Sequence, residues 1–359
     1  MEKKINQLIQ ASQKIILDCI LDNGGIVAAN STKKDYPKEA ENYFYIWPRD
    51  AAFTCLAADI LEIKNIQENY FNWLMKRAEG WQETGLFYEK YNPNGTKALL
   101  KFQPDQTGII IYIAYRYLKK NINQTKKFKK LITHSANGLC NIWDNNHFKI
   151  VTEDLWEEKL TFPDTKDNFS YSLSACIQGL QCANKLFPNK KYKKTTEQMK
   201  KVLLDSTKKT NYFSRSFGLL NDERIDASAL GIIWPFEIIK PNSKLAKETI
   251  KMIEKKLVKN FGVKRYENDE YDGWMYENIH RMKGAGYWPL LNFWLAIVLS
   301  KMNQKKKAMK YYNQALDSLN GNQIPEQIFD NKIQKSISPL CWSHTMFILA
   351  TKELGLLDN

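Results

Sequence analysis

The stretch YFYIWPRD, from Tyr43 to Asp50, places four aromatic rings beside an adjacent arginine and aspartate. Aromatic faces cover the apolar faces of a pyranose ring, and charged groups hydrogen-bond its hydroxyls. Tyr43, Trp47, Arg49 and Asp50 are therefore candidates for a sugar-binding site. A buried segment that ends in a surface ion pair explains the same eight residues equally well.

Further along the chain, carboxylates and tryptophans recur together in short stretches. The stretches TEDLWEEKL, KRYENDEYDGW, IPEQIFD and SPLCWSH contribute the candidates Asp154, Trp156, Glu157, Glu158, Arg265, Glu326 and Trp342. Taken singly, each stretch has a simpler explanation. Two adjacent glutamates suit the first turn of a helix, and Pro-Glu-Gln suits a short helix with proline at its first position.

Taken together, these residues meet the requirement of one reaction. Hydrolysis of a glycosidic bond uses two carboxyl groups, one on each side of the bond. One carboxyl must stay protonated, which apolar surroundings favour, and Trp156 beside Glu157 could supply such a wall. The other must stay ionised to activate the nucleophile.

The elements that must position these residues are helices, because the dominant hydrophobic period is helical. Twelve stretches show it: 5–21, 49–63, 66–79, 104–120, 126–143, 169–187, 190–205, 224–239, 244–259, 286–302, 304–319 and 339–354. Some, such as 286–302, are apolar nearly all round, whereas others, such as 244–259, are lysine-rich and amphipathic. This difference predicts an all-α fold with two concentric layers of helices.

The longer connections fall once per helix pair, and they hold nearly every candidate residue. They span 22–48, 80–103, 144–168, 206–223, 260–285 and 320–338. Loops longer than about 12–15 residues are usually functional or disordered. Six of them at regular intervals predict one functional face.

The motifs YFYIWPRD, DLWEE, RYENDEY, PEQIFD and PLCWSH resemble, in order and approximate spacing, those of the glucoamylase family, glycoside hydrolase family 15. The likeness runs from about residue 23 to the C-terminus. It implies an (α/α)6 toroid of twelve helices in two concentric layers. It also implies an inverting glucan hydrolase.

The resemblance also implies roles for individual residues. Glu157 corresponds to the family's general acid, and Glu326 corresponds to its general base. The residues that match substrate-binding positions are Tyr43, Trp47, Arg49, Asp50, Trp156, Glu158, Arg265 and Trp342. In an inverting enzyme we expect the two carboxyl groups to lie roughly 6.5–9.5 Å apart, so that a water fits between one of them and the sugar.

The chain also departs from the family pattern. Relatives often carry an N-terminal β-sandwich or a starch-binding module, and we expect neither here, so that residues 1–359 form a single catalytic domain. Leu99 stands roughly where fungal relatives have a tryptophan, in the stretch ALLKFQPDQTG. This difference bears on the outer sugar subsites, and therefore on the preferred linkage and chain length.

Composition narrows the remaining classes of function. The formal charge is +14, from 53 basic and 39 acidic residues, but the lysines are scattered and no nucleic-acid motif accompanies them. The six cysteines lie mostly in apolar stretches without a Cys-x-x-Cys pair, and the four histidines are dispersed. We expect a cytoplasmic protein with no cofactor, no metal, no nucleic-acid partner and no membrane span.

The predicted activity is the exo-acting release of β-glucose from the non-reducing ends of an α-glucan such as glycogen, starch or a maltodextrin. Three alternatives remain open. The first is a relative that acts on isomaltose, dextran or trehalose through the same pocket. The second is a non-catalytic module that senses glucan, which the presence of both Glu157 and Glu326 disfavours. The third, a basic helical repeat that binds nucleic acid, lacks base-stacking and phosphate-binding residues.

Overall fold

The chain folds mainly into helices. The computed structural model describes residues 2–260, 262–273, 284–331 and 334–357. Within these ranges the α-helices are α1 (Glu2–Cys19), α2 (Pro48–Ile60), α3 (Ile66–Arg77), α4 (Trp81–Thr84), α5 (Pro104–Lys120), α6 (Thr125–Ile142), α7 (Ser170–Leu186), α8 (Lys190–Thr210), α9 (Leu230–Ile233), α10 (Lys244–Leu257), α11 (Pro289–Lys301), α12 (Lys305–Ser318) and α13 (Cys341–Glu353).

Six of these helices form an inner ring. In order around the ring, α2, α5, α7, α9, α11 and α13 each contact the next, and α13 contacts α2 to close it. The outer layer consists of α1, α3, α6, α8, α10 and α12, and α4 is a single additional turn. The predicted (α/α)6 toroid is confirmed.

Burial explains the two layers. In α2 every residue from Pro48 to Ala58 is buried, and in α11 every residue from Pro289 to Leu299 is buried. In the outer helix α10 the buried residues recur every three or four positions, and the remaining faces carry lysines. A helix that is apolar all round is stable only when it is covered on all sides, so the ring encloses the hydrophobic core.

The close contact between α5 and α7 depends on two glycines that face each other. A Cβ atom at Gly108 would lie 2.5 Å from backbone atoms of Ala175, and one at Gly179 would lie 2.5 Å from the Gly108 carbonyl oxygen. Both distances are far shorter than a carbon can accept. Glycine at both positions therefore allows the two helix backbones to touch.

Three inner helices begin with the same local pattern. Proline occupies the first helical position of α2, α5 and α11, where its missing N–H would have no partner inside the helix. The preceding residues, Trp47, Gln103 and Trp288, are extended, as expected before proline. The pattern fixes the direction in which the chain enters each helix.

Short strands occur only in the connections of the described chain. They are β1 (Trp143–Asp144), β2 (His147–Phe148), β3 (Thr152–Glu153), β4 (Leu160–Thr161), β5 (Asn168–Phe169), β6 (Ser214–Phe217), β7 (Asp222–Ile225), β8 (Val258–Lys259) and β9 (Gly262–Val263). Strands β5, β6 and β7 form an antiparallel sheet in that order, and the others pair as two-stranded ladders. The β3–β4 ladder flanks the stretch that contains Glu157.

The predicted helix over 224–239 is wrong. The structure has the end of β7, a 3-10 turn at Ala227–Ala229 and the single turn α9 instead. Pro235 follows Trp234, which is extended. Because proline disfavours helical geometry in the residue before it and cannot donate a backbone hydrogen bond, the helix ends at Ile233.

A buried histidine ties the sixth connection to the first and last helices. The backbone N–H of Ile324 donates to Nε2 of His344 (2.9 Å), and the ring's Nδ1 pairs with the Ser12 hydroxyl (2.8 Å). Burial lowers the pKa of His344 to about 3, so the ring is neutral at physiological pH. Nε2 is therefore an acceptor and Nδ1–H donates to Ser12. This contact anchors the segment just before Glu326.

The six cysteines are all buried and unpaired, as the sequence predicts. None of the described helices combines the length and the apolar composition that a membrane crossing requires.

Candidate active site

A pocket of about 320 Å³ opens where the inner helices begin. Its lining includes all ten residues that the resemblance singled out: Tyr43, Trp47, Arg49, Asp50, Trp156, Glu157, Glu158, Arg265, Glu326 and Trp342. Five of the six long connections contribute to this lining, and the first turns of α2 and α13 provide Arg49, Asp50 and Trp342. The fourth connection contributes Arg215, which lies behind Glu158.

Glu157 lies on the third connection, between β3 and β4, with a left-handed backbone (φ +63°). Its Oε1 accepts a hydrogen bond from the Trp47 indole N–H (2.7 Å), and its Oε2 lies 3.1 Å from Nζ of Lys90. Burial raises the pKa of Glu157 to about 7; the charge of Lys90 opposes this shift and nearby Glu89 adds to it. The carboxyl group can therefore be protonated near neutral pH.

Glu326 lies on the sixth connection and is 3% exposed. The Tyr43 hydroxyl donates to its Oε1 (3.0 Å), and the Tyr271 hydroxyl lies 3.5 Å from that of Tyr43. Oε2 is buried and has no hydrogen-bond partner among the described residues. Burial raises the pKa of Glu326 to about 7, although Tyr43 and Arg265 act in the opposite direction.

Tyr43 and Trp47 thus hold one carboxyl group each. They are four residues apart in the first connection, and their ring centroids lie 5.4 Å apart. Tyr43 binds Glu326 and Trp47 binds Glu157. One short segment therefore contacts two carboxyl groups that lie far apart in the sequence.

Arg49 is 3% exposed and its guanidinium is held from behind. Its Nη1 donates to Gln103 Oε1 (2.8 Å) and to Asp105 Oδ2 (3.0 Å), and the group lies 5.4 Å from the ring centre of Trp342. Its Nε lies 3.4 Å from Asp50 Oδ1, and neither atom has a hydrogen bond in the described structure. Burial raises the pKa of Asp50 to about 7, against the charge of Arg49. This pair therefore keeps two buried polar atoms without a hydrogen bond beside the pocket.

Glu158 has cationic and phenolic partners. Its carboxylate accepts hydrogen bonds from Arg265, from the Tyr266 hydroxyl and from Nη2 of Arg215 (3.2 Å). Burial acts to raise the pKa of Glu158, but Arg265 and Tyr266 outweigh it and the pKa is lowered. Glu158 therefore stays ionised.

Arg265 is fixed by Asp269, which accepts from its Nε (2.8 Å) and Nη2 (2.7 Å). Its guanidinium also lies 5.2 and 5.3 Å from the ring centres of Trp156 and Trp288. A charged group held by a carboxylate and between aromatic rings keeps one geometry, so Arg265 can present the same donors to each ligand.

Trp156 lines the same pocket as Glu157. Its indole N–H donates to both carboxylate oxygens of Asp226 (3.1 and 3.0 Å), on the side of the pocket that holds Arg265. The indole that hydrogen-bonds the Glu157 carboxyl is Trp47.

Sequence reasoning missed several pocket residues. Those not singled out beforehand are Ala28, Glu41, Lys90, Leu155, Tyr271, Trp288 and Leu340, and Gln103 and Asp105 lie behind Arg49. For some of them a signal exists. Trp47-Pro48, Gln103-Pro104 and Trp288-Pro289 repeat one pattern at the start of inner helices, and each places its first residue at the pocket or next to it. Lys90 carries no such signal among the many lysines.

Two further features that the sequence raised are the position of Leu99 and the question of a metal site. Leu99 is 42% exposed and is not part of the lining. Within residues 2–260, 262–273, 284–331 and 334–357, no group of three histidine, cysteine, aspartate or glutamate side chains is placed to hold a metal ion.

The arrangement brings together the groups that acid–base catalysis needs. Two carboxyl groups with raised pKa values, those of half-buried Glu157 and buried Glu326, lie on different connections of one pocket. Fixed arginines and aromatic rings line the remaining walls, and such groups suit hydroxyls and apolar sugar faces respectively.

Comparison with known proteins supports this reading. An uncharacterised glycosyl hydrolase of Methanocaldococcus jannaschii is 27% identical over 381 residues, which cover 97% of this chain and 56% of that protein. An isomaltose glucohydrolase of Kribbella flavida is 24% identical over 151 residues, which cover 38% of this chain and 36% of that protein. The chain therefore spans about half the length, or less, of these curated relatives.

Solved structures share the fold. A variant glycosidase in complex with glucose superposes with a TM-score of 0.81 at 18% identity, covering 99% of this chain and 98% of that chain. The glucoamylase of Saccharomycopsis fibuligera superposes with a TM-score of 0.71 at 16% identity, covering 98% and 94%. The family model of glycosyl hydrolases family 15 matches residues 9–352. The chain belongs to glycosyl hydrolases family 15.

Proposed function

We propose that this glycosidase is an exo-acting, inverting hydrolase that releases β-glucose from the non-reducing ends of α-glucans. Glu157 is the general acid and Glu326 is the general base. The observation that carries the proposal is the placement of these two carboxyl groups, from different connections and with raised pKa values, in the lining of one pocket.

As the glycosidic bond breaks, protonated Glu157 donates its proton to the glycosidic oxygen. Burial favours the neutral carboxyl, and its raised pKa keeps part of the population protonated near neutral pH. The Trp47 indole fixes Oε1, so the carboxyl plane has one orientation.

In the same step, ionised Glu326 removes a proton from the attacking water. Tyr43 occupies Oε1 and leaves Oε2 as the oxygen that accepts from the water. The water attacks the anomeric carbon on the face opposite the leaving group, which converts an α-linkage into β-glucose.

The other walls suit the terminal sugar of a chain. Arg49, Asp50 and Trp342 are buried at the starts of α2 and α13 and line the pocket. We assign them to the terminal sugar, because exo-acting release requires that a chain end, and not an interior segment of the glucan, occupies the pocket. Arg265 and Glu158 supply further hydrogen-bonding groups.

A second candidate substrate is an α-1,6-linked disaccharide. Among the relatives reported above, one is named an isomaltose glucohydrolase. The same inner pocket accepts the terminal glucose of maltose, isomaltose or trehalose, so the linkage depends on residues outside it. A non-catalytic, glucan-sensing role predicts sugar binding without turnover.

The test is to incubate the purified protein with maltose, isomaltose, trehalose, maltoheptaose and glycogen, and to follow the products by proton NMR in the first minutes. We expect glucose from at least one α-glucan, with the β-anomer appearing before mutarotation. Glu326→Gln serves as the matched control, and it should bind the sugar but release little glucose. Initial α-glucose would contradict inversion, and binding without turnover by the unaltered protein would favour the sensing role.

A further inference from the structure

A second carboxylate lies directly behind Glu157. Glu89 is fully buried, and its Oε1 lies 3.0 Å from Nζ of Lys90. The same ammonium lies 3.1 Å from Oε2 of Glu157. One lysine thus bridges two glutamates, of which one lines the pocket and the other does not.

The position of Glu89 is fixed by its backbone. Its N–H donates to the Lys101 carbonyl oxygen (3.2 Å), and its carbonyl oxygen accepts from Nε2 of Gln106 (3.0 Å). The other end of the Gln106 amide accepts from the backbone N–H of Arg49. The Glu89 carboxylate is therefore held relative to the start of α2, where the pocket begins.

The carboxylate itself has one charged partner. The ion pair with Lys90 offsets the burial of the Glu89 carboxylate, and the same carboxylate also acts directly on Glu157 to raise its pKa. With both glutamates ionised, one ammonium faces two negative charges, of which that of Glu89 is fully buried and that of Glu157 is half-buried. Adding one proton makes the net charge of Glu89, Lys90 and Glu157 together zero, and burial strongly favours this neutral arrangement.

We propose that Glu89 is a positioning residue that keeps the general acid protonated by pairing with the charge of Lys90. Glu89 does not touch the substrate. The Glu89 carboxylate forms an ion pair with Lys90, so that the Lys90 ammonium does not hold Glu157 in the ionised form. The inference rests on the proposed role of Glu157 as the general acid.

Other charged or titratable groups around Glu157 do not replace Glu89. Those on the neighbouring elements are Tyr43, Arg49, Asp50 and Lys101. Arg49 is paired with Asp105 and Asp50, and Lys101 is paired with Glu153. Lys90 is the cation that contacts the Glu157 carboxyl directly, so its partner decides how strongly it acts on Glu157.

The test compares the pH dependence of kcat/KM in the unaltered enzyme, in Glu89→Gln and in Lys90→Met. The alkaline limb reports the pKa of the acid in the free enzyme. Glu89→Gln leaves Lys90 to stabilise ionised Glu157, so the limb should move to lower pH by about one unit, or about tenfold in rate on that limb. Lys90→Met removes the cation, and the limb should move to higher pH.

Asp222→Asn is the matched control, because Asp222 is also buried and paired with a lysine but lies outside the pocket lining. Its alkaline limb should stay in place. A merely structural role for Glu89 would lower the rate without opposite shifts in the two variants, and an unmoved limb in folded Glu89→Gln and Lys90→Met would overturn the proposal. If Glu157→Gln instead kept full activity, the proposed function itself would be wrong.

Discussion

Glu157 and Glu158 are neighbours of identical type, yet they face two regions of the pocket wall with opposite electrostatics. The region around Glu157 contains an indole, one shared lysine and a second carboxylate. The region around Glu158 contains two arginines and a phenol. The pKa is raised to about 7 in the first region and lowered in the second. The chemistry of each carboxylate is therefore decided by partners from other connections.

The largest expected effect separates the two glutamates directly. Glu157→Gln should lower kcat by roughly 10²–10⁴-fold, the usual contribution of general acid catalysis. Glu158→Gln removes only a charged hydrogen-bonding partner, worth about 1.5–3 kcal/mol, and should act mainly on KM. Steady-state kinetics on the best substrate measures both variants. Equal losses in kcat would erase the distinction between the two regions.

The second effect concerns stability. Arg215 is buried and pairs with Asp154, Glu158 and Asp226. Arg215→Met leaves buried carboxylates unpaired and should lower the free energy of unfolding by about 3–5 kcal/mol. Lys159→Met is the matched control, because Lys159 is 40% exposed in its pair with Asp222, and the cost should stay below about 1 kcal/mol. Urea unfolding measures both, and similar values would contradict the buried network.

The third effect is on the pH profile. The proposed mechanism requires Glu326 to be ionised, which it ceases to be below about pH 7, and Glu157 to be protonated, which it ceases to be above about pH 7. We therefore expect a bell-shaped plot of kcat/KM with its maximum near neutral pH. Glu158 is ionised throughout this window, so Glu158→Gln should shift neither limb by more than about half a unit. If one limb of the profile disappeared in Glu158→Gln, the group that titrates there would be Glu158, and the assignment of that limb to Glu157 or Glu326 would be wrong.

The smallest effect distinguishes two tryptophans. Trp47→Phe removes the hydrogen bond to Glu157 and should lower kcat by roughly two- to tenfold, as expected for one neutral donor. Trp156→Phe removes the bond to Asp226 instead and should leave kcat within about twofold. Single-turnover rates isolate the chemical step. If Trp156→Phe lowered kcat more than Trp47→Phe does, the tryptophan that matters most for Glu157 would be Trp156, as the sequence alone suggested.

The fold was predictable where one pattern determines the structure. Helices such as α11 are apolar all round, and helices such as α10 are amphipathic, so two layers follow from the sequence. The helix over 224–239 failed because one proline outweighs a hydrophobic period. In that segment, local backbone chemistry won over the pattern of side chains.

The candidate site was predictable only in part. The resemblance located Glu157 and Glu326, whose motifs are specific, and the structure places both in one pocket. Lys90 and Glu89 could not be found, because a lysine among 53 basic residues and an isolated glutamate carry no local signal. Their roles depend on a contact between the second and third connections. Which tryptophan binds Glu157 is likewise a matter of tertiary structure.

The bridge from Ser12 to His344 has a consequence for folding. It joins residues that are 332 positions apart, and α13 also completes the inner ring against α2. During synthesis the apolar surfaces of α1 and α2 must therefore wait for almost the entire chain before their partner emerges. Contacts between residues so far apart in the sequence slow folding, and they prolong the exposure of apolar surface to solvent. The closed ring that shapes the pocket is thus complete only after α13 has been synthesised.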